Sequence, residues 1–169
     1  MATRYHNISG ELTQELLAAG DNIKVSSVSI TNIGKVQPSK VDLYIEKKLT
    51  GKFYLMRGVS LPVGATLSHD FTMNNSTNEF GLYVKLTKGD TFTLTGTIDP
   101  IADQTVTGVG TAFLTELSIG DEIVVSTETR IVESIVSNTE LEVTVAFSNN
   151  GDDASPDCNP EALVDVIIS

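Results

Sequence analysis

Hydrophobic and polar positions alternate with a period of two along most of this chain. In residues 22–32 (NIKVSSVSITN) one face carries Ile23, Val25, Ser27, Ser29 and Thr31, and the other carries Lys24, Ser26, Val28, Ile30 and Asn32, with Val28 and Ile30 expected in the core. Residues 40–47 place Val41, Leu43 and Ile45 one way and Asp42, Tyr44 and Glu46 the other. Residues 80–86 (FGLYVKL) set Leu82, Val84 and Leu86 on the inward face. β-branched and aromatic residues in this alternation predict strands. Turn signals separate the runs: Gly34 and Pro38, Thr50-Gly51, Leu61-Pro62-Val63-Gly64, and Asp99-Pro100. The run 11–19 (ELTQELLAA) fits a short helix through Leu12, Leu16 and Ala19 and also a strand through Leu12, Gln14 and Leu16; a nine-residue helix is marginal alone and the chain downstream is β-type, which favours the strand.

Residues 105–147 hold the densest pattern. Short β-type runs alternate there with turn residues at close, even spacing: Gly108 and Gly110, then Gly120-Asp121 before Ile123-Val124-Val125, then Asn138 before Leu141, Val143 and Val145. Such spacing argues for a small all-β module. Residues 1–10 read as a polar arm, and 148–160 (SNNGDDASPDCNP) as a linker or exposed loop. The last run, 162–168 (ALVDVII), is strand-like but follows that loop with no partner nearby. An unpaired edge strand is a liability. The economical expectation is that it returns to the N-terminal sheet beside residues 80–86. The expected architecture is therefore all-β, with a sandwich of residues 1–90 plus 161–169 completed by the C-terminal strand. A small β-barrel-like module of residues 91–160 is inserted into it.

Charge supports two units. Residues 1–96 carry ten Lys/Arg against eight Asp/Glu, a net of +2, whereas residues 97–169 carry Arg130 against fourteen acids, a net of −13. The acidic part is expected to repel nucleic acid and anionic membranes. No apolar run approaches membrane-spanning length. The opening MATRYHNISGELTQ lacks an apolar signal core, so export by that route is not expected. The single Cys158 excludes an internal disulfide, which suits synthesis in a reducing cytoplasm.

Several stretches resemble known phage building blocks. The order TVTGVGTAFLTEL, IGDEIVV, TRIVESIVSNTELEVTVAF is similar to a small β-barrel-like repeat of bacteriophage tail fibres and other virion proteins. Val106, Gly108, Gly110, Thr111 and Phe113 match its first part, Gly120, Asp121 and Ile123 its second. Arg130, Val132, Ser134, Ile135, Ser137, Thr139, Leu141 and Phe147 match the remainder. In the first half, VSSVSITN, then VDLYIEKKLTGKFYLMRGVSLPVGATL, then GLYVKL, with VDVII at the end, resembles β-sandwich domains on virion surfaces. In that pattern the VDVII-like strand follows GLYVKL closely. Here a long segment intervenes, in keeping with an insertion.

Candidate chemistry is sparse. His6 and His69 are far apart, no metal-ligand spacing occurs, and no cofactor is expected. Cys158 sits among Asp152, Asp153 and Asp157, which would raise its pKa rather than activate it. Gly108-Val109-Gly110 lacks the third glycine of a dinucleotide fingerprint, since Phe113 stands there. Asp152, Asp153, Asp157 and Asn159 offer at best a weak cation loop, without EF-hand spacing. Glu140/Glu142 and Glu128/Glu133 are expected on solvent-facing strand positions. Tyr5, Tyr44, Tyr54 and Tyr83 look scattered. Lys47, Lys48, Lys52 and Arg57 form the one basic cluster, readable as a solvated hairpin tip or as docking contacts for an acidic neighbour protein.

These expectations combine into a non-enzymatic virion structural protein, made in the host cytoplasm. The resemblance implies a decoration, neck or baseplate-associated protein; the small size, without long repeats or coiled segments, favours a capsid decoration protein that docks on the shell through its N-terminal sandwich and presents its acidic module outward. Its partners would be the major capsid protein or neck and tail proteins, with no nucleic acid and no membrane, and self-association is left open. A neck, tail, baseplate or fibre component is the alternative, and a glycan-binding host-attachment module the second alternative.

Overall fold

The structure, a computed structural model, describes residues 3–47, 49–76, 79–148 and 155–169. The strands follow in chain order. The first seven are β1 (Arg4–Ser9), β2 (Thr13–Leu17), β3 (Lys24–Asn32), β4 (Ser39–Lys47), β5 (Gly51–Leu61), β6 (Thr66–Asn74) and β7 (Phe80–Thr87). Then come β8 (Phe92–Thr93), β9 (Thr97–Asp99), β10 (Thr105–Val109), the single-turn helix α1 (Phe113–Glu116), β11 (Glu122–Val125), β12 (Glu128–Ser137), β13 (Glu140–Val143) and β14 (Asp157–Asn159). The last strand is β15 (Leu163–Ile168). Two compact units result. One comprises Met1–Gly34, Pro38–Lys88 and Ala162–Ser169, the other Lys35–Gln37 and Gly89–Glu161.

Among the described residues, the first unit is a sandwich of two antiparallel four-stranded sheets, β1-β15-β3-β6 and β2-β7-β4-β5. With β15 counted as the eighth strand, the orders are 1-8-3-6 and 2-7-4-5. Only the β4–β5 hairpin joins neighbours within a sheet, and the other connections cross between sheets. That is the topology of a jelly roll. The alternation read from sequence fills its core: Val28 and Ile30 from one sheet meet Val41, Leu43, Leu82, Val84 and Leu86 from the other, and a register irregularity between Val25 and Ser27 turns Val25, read on the opposite face, into the same cluster. Val164, Val166 and Ile168 of β15 join the same cluster. The buried Asn75 closes the β2–β3 connection, accepting from the Ile23 amide at 2.7 Å and donating to the Ala18 carbonyl at 2.8 Å. A buried amide bonded at both ends carries no desolvation penalty of the unsatisfied kind.

Two expectations are corrected here. Residues 4–9 are not a polar arm but edge strand β1, with Ile8 in the core. The C-terminal strand does not lie beside β7, whose two sides are taken by β2 and β4. It inserts between β1 and β3 in the opposite sheet, with Val164 opposite Ile8 and Val166 opposite Ile30. Tyr44 stands on the outer face of its sheet, as the alternation placed it, and is nevertheless 1% exposed.

The second unit is one antiparallel sheet ordered β8-β14-β11-β12-β13-β10-β9. The all-β class is as expected, but this sheet does not close into a barrel, because β8 and β9 remain separate edges. The ten-residue β12 holds it together. Its first part pairs with β11, its second with β13, and register irregularities occur along the second pairing. The core is Phe113, Leu117, Ile123, Val132, Leu141, Val143 and Phe147, with Cys158 among them. The expected linker is thus partly strand: Asp157–Asn159 pair with both β11 and β8.

Candidate functional site

The outer face of β2-β7-β4-β5 brings together residues that are distant in sequence. Register places Tyr83 opposite Tyr44, and Tyr44 opposite Tyr54. Directly opposed residues share a face of an antiparallel sheet. Three tyrosines therefore form a row across β7, β4 and β5. The Tyr44 and Tyr83 rings stack at 5.6 Å with 13° between planes, and Tyr44 and Tyr54 lie 5.4 Å apart, tilted by 52°. Each such pair is worth about 0.5–1.5 kcal/mol beyond its buried area. These tyrosines are not scattered, as the sequence suggested. The pattern of alternation puts Tyr44 and Tyr83 on outward faces, but only the cross-strand register aligns them.

Gly81 makes room for this row. A Cβ there would stand 2.8 Å from Cε2 of Tyr83 and 3.0 Å from its hydroxyl, so the ring lies back over a bare backbone. At the far end the Tyr83 hydroxyl donates to Oε1 of Glu15 at 2.7 Å. That bond, reinforced by partial burial and the nearby carboxylates, pushes the Tyr83 pKa up to about 12.

Two of the basic residues cap the row. The Lys52 ammonium lies 4.4 Å from the Tyr44 ring centroid and donates to the Tyr44 hydroxyl at 3.1 Å. That hydrogen bond raises the Lys52 pKa. The Arg57 guanidinium stands over the Tyr54 ring at 5.0 Å. Exposed contacts of this type contribute about 0.5–1 kcal/mol each. The order along the surface is ammonium, phenol, phenol, guanidinium, and Tyr54 is 43% exposed.

The basic cluster does not act as one. Lys47 lies opposite Phe80, 5.6 Å from its ring, and its ammonium bonds Glu79 at 3.1 Å. It shares the side of Ile45 and Phe53 and not that of Lys52, since Lys52 opposes Glu46. Lys48 lies outside the described residues. Next to it, Leu49 is fully solvent-exposed in a left-handed backbone, φ 66°. Sequence reasoning passed over this leucine. The positive φ on a non-glycine residue costs about 1–2 kcal/mol, and the exposed aliphatic side chain gains nothing from folding. The edge itself is guarded. β5 carries two register irregularities against β4, and Gly58 takes a φ of 61° while its amide donates to Asp42 Oδ1 at 2.5 Å. Bulges and cations of this sort keep an edge strand from pairing indiscriminately.

The remaining candidates have structural partners. His6 points into the first unit. Burial, and then the Arg4 charge, lower its pKa, against a hydrogen bond to the Leu16 backbone, and its buried Nε2 has no hydrogen-bond partner. His69 lies within β6, 5.8 Å from the Phe71 ring. Cys158 is buried in the second core and not in a loop. Glu128 does not face open solvent: it binds the Arg130 guanidinium and accepts from the Ser148 amide at 2.9 Å. Of the acidic loop, Asp152 and Asp153 lie outside the described residues. Asp157 accepts from its ladder partner Thr93 at 2.7 Å, and Asn159 from Thr91, just before β8, at 2.6 Å. Among the described residues no group of three or more His, Cys, Asp or Glu is placed to hold a metal ion, and no helix is long and apolar enough to cross a membrane.

No family model, curated protein or solved structure matches the chain in comparisons with known proteins. The site must be read from its own geometry.

Proposed function

We propose that this chain is a non-enzymatic structural protein of a bacteriophage virion, a decoration protein that docks on the capsid shell through its N-terminal sandwich. The observation that carries the reading is the Lys52–Tyr44–Tyr54–Arg57 face, on an edge hairpin tipped by an exposed leucine. Tyrosine and arginine are the residue types that dominate protein interfaces. Here the rings already hold both cations in place, so less side-chain freedom is lost on docking. The face suits a neighbouring protein with carboxylates beside an apolar pocket: the carboxylates meet Lys52 and Arg57, and the pocket takes Leu49. The jelly-roll topology is one used by viral capsid proteins, and the sequence resemblances point the same way.

The test is co-sedimentation of the purified chain with particles assembled without it. The wild-type chain pellets with the particles. A Tyr54→Ala/Arg57→Ala variant, whose positions are exposed and whose fold is checked by circular dichroism, loses at least about a hundredfold in affinity, the effect of two interface anchors. Wild-type affinity in this variant, or no co-sedimentation of the wild type, removes the proposal. Neck, tail or baseplate assignment follows if the chain binds tails and not shells.

A further inference from the structure

The other sheet of the jelly roll carries a second surface of different chemistry. On β1 and β15, the outward pairs are Tyr5 opposite Ile167 and Asn7 opposite Asp165. Between them, His6 opposes Val166, and Val166 is turned into the core, 1% exposed. The floor between the two pairs is therefore backbone, and the result is a trough of about 390 Å³ lined by these six residues. Strands rise about 3.4 Å per residue, so the two walls stand about 7 Å apart. One wall is apolar: the Tyr5 ring is 73% exposed and Ile167 42%. The other is polar: the Asn7 amide donates to Asp165 Oδ1 at 2.8 Å, and Asp165 Oδ2 and the Asn7 side-chain oxygen take no part in that bond.

Both walls extend as rows across the sheet. Ile167 is followed by Ser29 and Ser68, whose hydroxyls bond at 2.9 Å, and Asp165 by Thr31 and Thr66, bonded at 2.8 Å. The eight positions hold one carboxylate and no Lys or Arg. We infer that this trough binds a neutral saccharide. A pyranose has an apolar face for Tyr5 and Ile167 and a rim of hydroxyls that donate to Asp165 and Asn7. Its width matches the separation of the walls, and hydroxyl ladders beside it can receive a second or third sugar unit. A phosphate or an acidic sugar would meet the Asp165 charge with no cation to offset it. The docking face lies on the other sheet, so this inference does not rest on the docking reading.

The experiment is a titration of the full chain with a panel of neutral tri- to hexasaccharides and their sialylated or sulfated counterparts, read by amide chemical shifts. At least one neutral glycan is expected to shift residues 5–7 and 163–167, with a Kd on the order of 1 mM or below. Tyr5→Ala and Asp165→Asn are each expected to weaken it by about tenfold or more, the loss of one stacking or charged contact. Both positions face outward, and unchanged spectra elsewhere confirm that the variants fold. The inference is overturned if no neutral glycan binds, if only acidic glycans bind, or if both variants bind as the wild type does. Shifts confined to the tyrosine row of the other sheet also overturn it.

Discussion

Truncating Val164 tests how the chain's last strand completes the first unit. Val164 is fully buried in a strand flanked by β1 and β3. Val164→Ala removes two methyl groups, at about 0.8 kcal/mol each for transfer from water. A residual void of roughly 40 Å³, at about 24 cal/mol per Å³, adds about 1 kcal/mol. The expected loss is about 2–3 kcal/mol. The assay is native-state hydrogen exchange, in which protection reports the opening free energy of each cooperative unit. Protected amides of β1, β3, β4, β7 and β15 are expected to exchange roughly fiftyfold faster, since about 1.4 kcal/mol is a factor of ten. Amides of β11 and β13 should keep their wild-type rates, because Val164 belongs to the first hydrophobic cluster and theirs is a separate one. Equal acceleration in β11 and β13, or none in β3 and β7, would refute this division of the core.

Other consequences follow from single groups. Ionisation of Tyr83 is expected at about pH 12, later than an ordinary phenol, so an absorbance titration of the tyrosines should show a late step that Tyr83→Phe abolishes. The partly buried His6 has its pKa lowered from 6.5, so the unfolded chain binds the proton first as pH falls. The stability contributed by its neutral ring is complete above pH 6.5 and is lost as pH drops below that value toward the folded pKa. His6→Gln should flatten the dependence of the urea midpoint on pH in that window, and an unchanged slope would assign it to other groups. The β11–β12 loop places Ser126 and Thr127 at φ 48° and 73°, a conformation that favours Asn-Gly in two-residue hairpins. Ser126→Asn/Thr127→Gly is expected to stabilise the second unit by about 1–2 kcal/mol in denaturant unfolding. Destabilisation would show that these side chains make contacts worth more than the strain.

Much of the fold was legible because one physical signal, the period-two alternation, dominates this chain. Val28, Ile30, Val41, Leu43, Leu82, Val84 and Leu86 are all buried where the pattern put them. The signal fixes which way a side chain points and not which strand lies alongside. That is why β15 was expected beside β7 when it pairs with β1 and β3. Strand β1 was missed because RYHNIS carries only one strongly apolar inward residue, Ile8, and an edge strand needs little more. The candidate sites suffered from the same limit. The tyrosine row and the Tyr5 trough are products of register, and a single sequence contains no register. Lys52 and Arg57 were legible as a basic cluster with Lys47, yet alternation separates Lys47 onto the other side of the sheet. Leu49 carried no signal at all, since one leucine between Lys48 and Thr50 is unremarkable until its backbone and exposure are known.

The most direct test of the docking proposal is gold labelling of intact purified phage particles with an antibody raised against the second unit. The account predicts label distributed over the icosahedral shell, and its loss from particles assembled with the Tyr54→Ala/Arg57→Ala variant. Label confined to one vertex or to the tail would move the protein off the shell, and particles with no label at all would contradict the virion assignment.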